Sequence, residues 1–418
     1  MEPGDIRAAM IRCVRCGQCR SVCPVFLVKK VESDSTRGRV TLIRALLEGE
    51  ISFSEELGEK VWQCLLCHSC SQECPSGVQV EKIILAARSK MAELRGLPFS
   101  KKVLIQGLLP NLKSLSKLMA LGRFLQSFGG KEVPGGYWLP SFSLPLFSSR
   151  VLPRLNSRSL FQMVPSEAPF IPRPKGRAVF YAGCMLAYGY PRTGKAVVEV
   201  LYYNGIEVVI PPDQVCCGLP ALASGHRETF TRLREANLRV LKRVKADGIV
   251  TACPSCGSTL KEYYSSELQA KIFDFSEFLV AADFKPPDRE WKSVVTYHDP
   301  CHLRKAQKVV RPPRRILASI PGIKFKEAAD PGRCCGFGGT FGLYYPGLSR
   351  EIGRARAGSL LDTGAEAVVT SCPGCMLQLA DSLYRQQSTV PVRHLAEVLA
   401  EAYGFHKPLT AKEVVRPG

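Results

Sequence analysis

Two pairs of adjacent cysteines, Cys216–Cys217 and Cys334–Cys335, each sit in the middle of the same longer pattern. Residues 177–265 align with 292–380: Cys184 matches Cys301, the pairs match, and "TACPSC" (251–256) matches "TSCPGC" (371–376). Both copies read C-x31/32-CC-x35/36-C-x2-C, so the fold of one constrains the fold of the other. Short apolar runs ("RAVFYAG", "IEVVIP", "DGIVTAC", then "SVVTYHD", "AEAVVTSC") alternate with helical stretches such as 226–245 and 346–362. That alternation predicts an α/β chain with parallel sheets and helices on their faces. Cys184, Cys253, Cys301 and Cys372 each follow a strand-like run, at the sheet end where ligands gather. Adjacent cysteines bridge poorly to each other. In extended chain their sulfurs point apart, which suits two different positions on one metal centre. Each C-x2-C is expected to open a helix, where the dipole favours thiolates. Gly218, Gly336, Gly338 and Gly339 are expected to let the backbone come close to the metal.

Nearer the N-terminus, "CVRCGQCRSVCP" (13–24) and "CLLCHSCSQECP" (64–75) share the spacing C-x2-C-x2-C-x3-C-P. Bacterial-type ferredoxins use this run for [4Fe-4S] clusters, the fourth cysteine of each run serving the other cluster. The predicted sets are therefore Cys13, Cys16, Cys19 and Cys74, and Cys64, Cys67, Cys70 and Cys23. Zinc also accepts C-x2-C, but the doubled register favours two cubanes, each removable alone by loss of Cys16 or Cys67. Between the runs, Val40, Ile43, Leu46 and Leu47 mark a helical insertion. His68 reads as a solvated surface residue, and Arg37 and Arg39 as counter-charges to the clusters. In the duplicated half, five thiols per copy exceed the four corners of a cube. They predict an open or distorted cluster, or a cube with one spare thiol; His298, Asp299 and His302, around Cys301, would support it.

Eighteen cysteines with neither a signal-peptide-like start nor a run of about 18 apolar residues suit a reducing, cytoplasmic compartment. Of the formal net charge of +20, residues 97–177 supply half, with 12 Lys and Arg against Glu132 and Glu167. This Pro- and Ser-rich stretch reads as a linker draped over surfaces. Leu112, Leu115, Met119 and Leu125 beside Lys113, Lys117 and Arg123 suggest a basic amphipathic helix. Such a helix suits a peripheral site on the cytoplasmic face of a membrane, the acidic face of a partner, or plain packing. No nucleic-acid motif is present, and "GFGGTFG" (336–342) lacks the strand–turn–helix context of a dinucleotide site, so no flavin is expected on this chain. The expected domains are 1–96, an α-helical two-cluster ferredoxin-like domain; 97–176, the linker; and 177–290 and 291–418, the two α/β copies.

"CGQCRSVCP", "RGRVTLIRALLEG", "CLLCHSCSQECPSGV", "CCGLP", "YHDPCHL", "CCGFGG" and "CPGC" together resemble the cysteine-rich CCG-domain proteins over nearly the whole chain. That family includes iron–sulfur subunits of glycolate oxidation, of lactate oxidation and of anaerobic glycerol-3-phosphate dehydrogenase, together with the catalytic subunits of heterodisulfide reductases. The resemblance implies noncubane [4Fe-4S] clusters in one or both copies. Their ligands would be Cys184, Cys216, Cys217, Cys253 and Cys256, then Cys301, Cys334, Cys335, Cys372 and Cys375. It implies an oxidoreductase subunit relaying electrons from an FAD-binding partner that oxidises glycolate or lactate to a quinone, cytochrome or other acceptor. The alternative is a heterodisulfide-reductase-type catalyst. Both last C-x2-C pairs are complete, which leans toward lactate- or heterodisulfide-type members.

Overall fold

The computed structural model describes residues 3–111, 119, 121–126, 129–141, 150–166 and 171–405. The expected helices of the N-terminal part are present. Ser35 caps the helix Thr36–Glu48 by accepting from Gly38 N, and Ser54 caps Glu55–Trp62 by accepting from Leu57 N. Val40 and Ile43 face inward as the spacing predicts; Leu47 is exposed instead, because the helix ends two residues later at left-handed Gly49. The helix Val80–Arg95 closes this part, with Ile83 and Ile84 fully buried.

Residues 97–176 hold more regular structure than a draped linker. Strands β1 (Gly130–Val133), β2 (Tyr137–Pro140) and β3 (Leu152–Pro153) form an antiparallel sheet, and Arg150 is buried against Gln378 and Ser349. Most of the proposed amphipathic helix, including Leu112, Leu115, Lys113 and Lys117, lies outside the described residues.

Two four-stranded parallel sheets follow. β4 (Gly176–Phe180), β5 (Ile206–Val209), β6 (Gly248–Thr251) and β7 (Lys271–Asp274) lie in the order β5-β4-β6-β7. β8 (Ser293–His298), β9 (Ile323–Phe325), β10 (Ala367–Thr370) and β11 (Val392–His394) lie in the order β11-β10-β8-β9. In copy-internal order both are 2-1-3-4, so the duplication read from the cysteines extends to the topology. β6 and β10 are buried along their whole length, which is why their sequences are unbroken apolar runs.

The copies pack reciprocally. Helix Pro191–Tyr203, the first α-helix after β4, lies on Leu395–Ala402, the last of copy two; Arg311–Ala318 lies on Phe275–Ala281, the last of copy one. One continuous core runs through both, from Phe180 and Val250 to Tyr297, Val369 and Leu399. This mutual arrangement is a pseudo-two-fold, and it turns the carboxyl ends of β4, β6, β8 and β10 toward one another.

Candidate metal centre

Each C-x2-C sits where the sequence puts it. Cys253 and Cys372 are the N-caps of helices Pro254–Tyr263 and Pro373–Tyr384, each with proline at the first helical position. In copy one, the free thiol of Cys216 lies within hydrogen-bonding reach of Cys184 and Cys217, and that of Cys217 in turn reaches Cys256. In copy two, Cys334 bonds to Cys301 and Cys335, and Cys335 to Cys375 at 3.5 Å. The adjacent sulfurs therefore do serve different partners, one facing the loop after the first strand and one facing the C-x2-C helix. The neighbouring thiols Cys216 and Cys256 hold Cys217 well below the ordinary range; Cys334 and Cys375 do the same for Cys335. The second cysteine of each pair is thus the thiolate-favouring hub of its set.

The pseudo-two-fold joins the sets, because the Cys253 and Cys372 thiols bond across the copies. The N-terminal part joins as well: Cys67 bonds to Cys334, and both lie in one small apolar cluster with Cys23 and Leu65. Loss of Cys67 is therefore expected to reach the copy-two set as well as its own. The contacts run without a break from Cys67 through Cys334, Cys335, Cys375, Cys372, Cys253, Cys256, Cys217 and Cys216 to Cys184.

Cys23, Cys64, Cys67 and Cys70 line one cavity, the grouping predicted from spacing. Burial pushes the Cys70 thiol far up, and Cys64, Cys67 and Cys23 push it further. Four thiols around one cavity, Cys23 and Cys67 buried and Cys70 raised by its three neighbours, are the donor set a cationic metal core relieves, so they fit an iron–sulfur cluster. Of the other set, Cys13 and Cys74 share an apolar cluster, Cys16 is exposed, and Cys19 is pushed up by burial and by Cys13 and Cys23.

The side chains around the thiols carry more than the sequence promised. Arg39 is 2% exposed rather than a surface charge; it points at Cys23 Sγ (3.9 Å) and donates to Lys60 O (2.6 Å). His68 is not solvated: it meets His302 edge-on at 5.5 Å and Glu81 at 3.7 Å. His302 ties three segments together, since Nε2 donates to Leu66 O (3.1 Å) and Nδ1 accepts from Ser255 Oγ (2.8 Å). Burial holds it neutral, down to about 4. His298 Nδ1 accepts from Arg356 Nε (3.1 Å), and the imidazole is hydrogen-bonded to the Cys335 thiol; a ring nitrogen and the Cys335 and Cys375 sulfurs lie within 4.8 Å of one another. Asp299 pairs with Arg304 and Arg314 instead of facing the thiols.

At the glycines after the CC pairs, left-handed Gly218 has the Phe230 ring where a Cβ would go, at 2.6 Å, and Gly336 has Ser349 O at 2.8 Å, so backbone turning and helix packing both require glycine there. Arg88 was not legible as a site residue. Its guanidinium donates to Val61 O, Trp62 O, Cys64 O and, across to copy one, Ala223 O.

A 4Fe-4S dicluster domain model matches residues 9–78, and a cysteine-rich (CCG) domain model matches 178–261 and 295–380. The chain is 31% identical to a "probable glycolate oxidase iron-sulfur subunit" of Bacillus subtilis, over 97% of this chain and 96% of that one. It is 25% identical to a subunit of the dihydromethanophenazine:CoB–CoM heterodisulfide reductase of Methanosarcina acetivorans, over 94% of each. A lactate utilization protein A of Shouchella clausii is 30% identical over 52% of this chain and 96% of its own. Among the described residues, no helix is long and apolar enough to cross a membrane.

Proposed function

Because the chain belongs to the iron–sulfur proteins that join a 4Fe-4S dicluster domain to two cysteine-rich CCG domains, we propose that it is the electron-transfer subunit of a flavin-dependent glycolate or lactate dehydrogenase. Cys13, Cys16, Cys19 and Cys74 would hold one cubane and Cys23, Cys64, Cys67 and Cys70 a second. Each CCG copy would hold a noncubane cluster on its five cysteines. Bound there, these groups supply one-electron carriers between an FAD-binding partner and a quinone or other acceptor. The observation that carries the proposal is the unbroken line of thiol contacts from Cys67 to Cys184. Arg39, Arg88 and Arg356 offset the negative charge along it, and His302 fixes the three segments in register.

The test is reduction of the holoprotein by its FAD partner with glycolate or lactate, read as bleaching of visible absorbance. A chain that stays oxidised while its partner turns over refutes the relay. One observation favours the heterodisulfide-type alternative: both five-thiol sets are complete, and copy two adds His298 against the Cys335 and Cys375 thiols. Disulfide reduction by the isolated chain with a reduced viologen distinguishes it.

We assign docking to an anionic membrane face to the basic segment and its approach. Leu94, Phe99, Val103, Leu121, Phe124 and Leu125 are all exposed there, and residues 97–177 carry +10.

A further inference from the structure

Helix Val80–Arg95 of the N-terminal part faces helices Arg227–Leu241 and Pro254–Tyr263 of copy one across a cleft of about 390 Å³. No cysteine lines it. Much of its wall is apolar: Leu85, Ala86, Leu222 and the Phe230 ring, which meets Tyr263 edge-on at 5.2 Å; Thr231 and Glu262 line it as well, with the Glu262 carboxylate held by the Tyr263 hydroxyl. Lys82 and Arg227 line it too, and neither forms a salt bridge among the described residues. Ser89, 3% exposed, also lines it, and its hydroxyl has no hydrogen-bond partner there.

The cleft lies between two of the proposed cluster sites. Phe230 packs on Gly218, the residue after Cys217. Tyr264, next to Tyr263, donates its hydroxyl to Cys217 O at 2.9 Å. On the opposite wall, Ser89 follows Arg88, whose guanidinium donates to Cys64 O at 2.5 Å. A molecule bound here touches side chains one residue removed from groups bonded to both thiol sets, which marks a redox-active occupant.

We propose that this cleft binds the ring headgroup of a quinone. Its size, at the low end of the roughly 300–1,000 Å³ of small-molecule sites, admits one or two fused rings. The apolar walls suit a planar ring. The free cations suit a quinone oxygen as it gains negative charge, and the orphan Ser89 hydroxyl gives a second polar contact. A hydroxy acid would use the cations but leave the aromatic wall uncovered. The identity of the electron source rests on the relay reading: reduction to hydroquinone takes two electrons from the relay and two protons from solvent at the mouth.

The probe is 2-methyl-1,4-naphthoquinone, added to oxidised holoprotein without any partner and followed by equilibrium dialysis. One saturable site is expected. Ala86→Phe, which fills the cleft, and the double variant Lys82→Gln/Arg227→Gln should each weaken binding at least tenfold at unchanged iron content. Should Ala86→Phe lose iron, the charge variant alone decides. No saturable binding, or binding that the deciding variants leave unchanged, overturns the site without touching the relay. If binding behaves as expected while the FAD partner and hydroxy acid leave the chain oxidised, the relay reading falls and the cleft assignment stands.

Discussion

Replacing Arg88 by methionine should release one cluster site selectively. The guanidinium meets Val61 O twice and Trp62 O, Cys64 O and Ala223 O once each, at 2.5–3.3 Å; three of these contacts share the two N–H of Nη2, so four N–H are engaged. At about 1.5 kcal/mol for each charge-assisted N–H, these contribute roughly 6 kcal/mol. Burial works against them, lowering the guanidinium from its ordinary value to about 10, which at 1.36 kcal/mol per pKa unit costs about 3.4 kcal/mol. About 2.6 kcal/mol remains, a factor of roughly 10² in the population of the opened loop. With cluster loss limited by that local opening, an iron chelator should bleach the site built on Cys64 about a hundredfold faster in Arg88→Met. The Cys13–Cys16–Cys19 site should bleach at its former rate. Electron paramagnetic resonance during chelation separates the two. Equal rates in wild type and variant, or uniform acceleration of every signal, would refute the clamp.

Cys16→Ser should remove one cubane signal and leave the CCG signals intact, whereas Cys67→Ser should also perturb the copy-two signal, because Cys67 bonds to Cys334; electron paramagnetic resonance of both variants checks this. Gly225→Ala places a Cβ 2.2 Å from Arg88 O at φ +75°, so it should lower stability by roughly 3 kcal/mol or more and speed proteolysis of helix Val80–Arg95. Lys101 is lowered from 10.5 to about 8 by burial between the Trp62 and Tyr344 rings. The folded chain therefore binds this proton less tightly than the unfolded chain, and stability rises with pH through that window. Lys101→Met should gain about 2 kcal/mol at pH 7, roughly 3.4 less the two cation–π contacts, and the gain should shrink from pH 8 upward in urea titrations. Replacing Leu121, Phe124 and Leu125 by serine should cut co-sedimentation with anionic vesicles severalfold at unchanged iron content; full retention retires that docking surface.

Spacing carried the sequence reading furthest. Cysteine position alone gave the two copies, the helix-opening C-x2-C elements and the grouping of Cys23 with Cys64, Cys67 and Cys70 around one cavity. β7, β9 and β11 passed unseen because "KIFD", "IKF" and "VRH" each interrupt or flank two or fewer apolar residues with Lys, Asp, Arg or His and so form no apolar run, unlike the equally short β5, β6 and β10. The junctions were not legible either. Nothing local says that Cys253 meets Cys372 or that Cys67 meets Cys334, because those contacts follow from packing the copies about a pseudo-two-fold. Arg88 did leave a trace: it stands on the Ile84, Arg88, Met91 stripe, where an apolar residue is expected, and a cation there signals buried acceptors. His68 and Arg39 read as surface residues because burial by a distant segment has no local signature.

The most direct test is the iron and sulfide content of anaerobically purified protein, combined with electron paramagnetic resonance after poising with glycolate or lactate and the FAD partner. The relay account predicts about sixteen irons per chain, four for each of four clusters, all reducible by that pair and with no new signal when thiol or disulfide is added. About eight irons, or a signal that appears only with thiol or disulfide, contradicts it; the second outcome assigns the thiol line to disulfide chemistry.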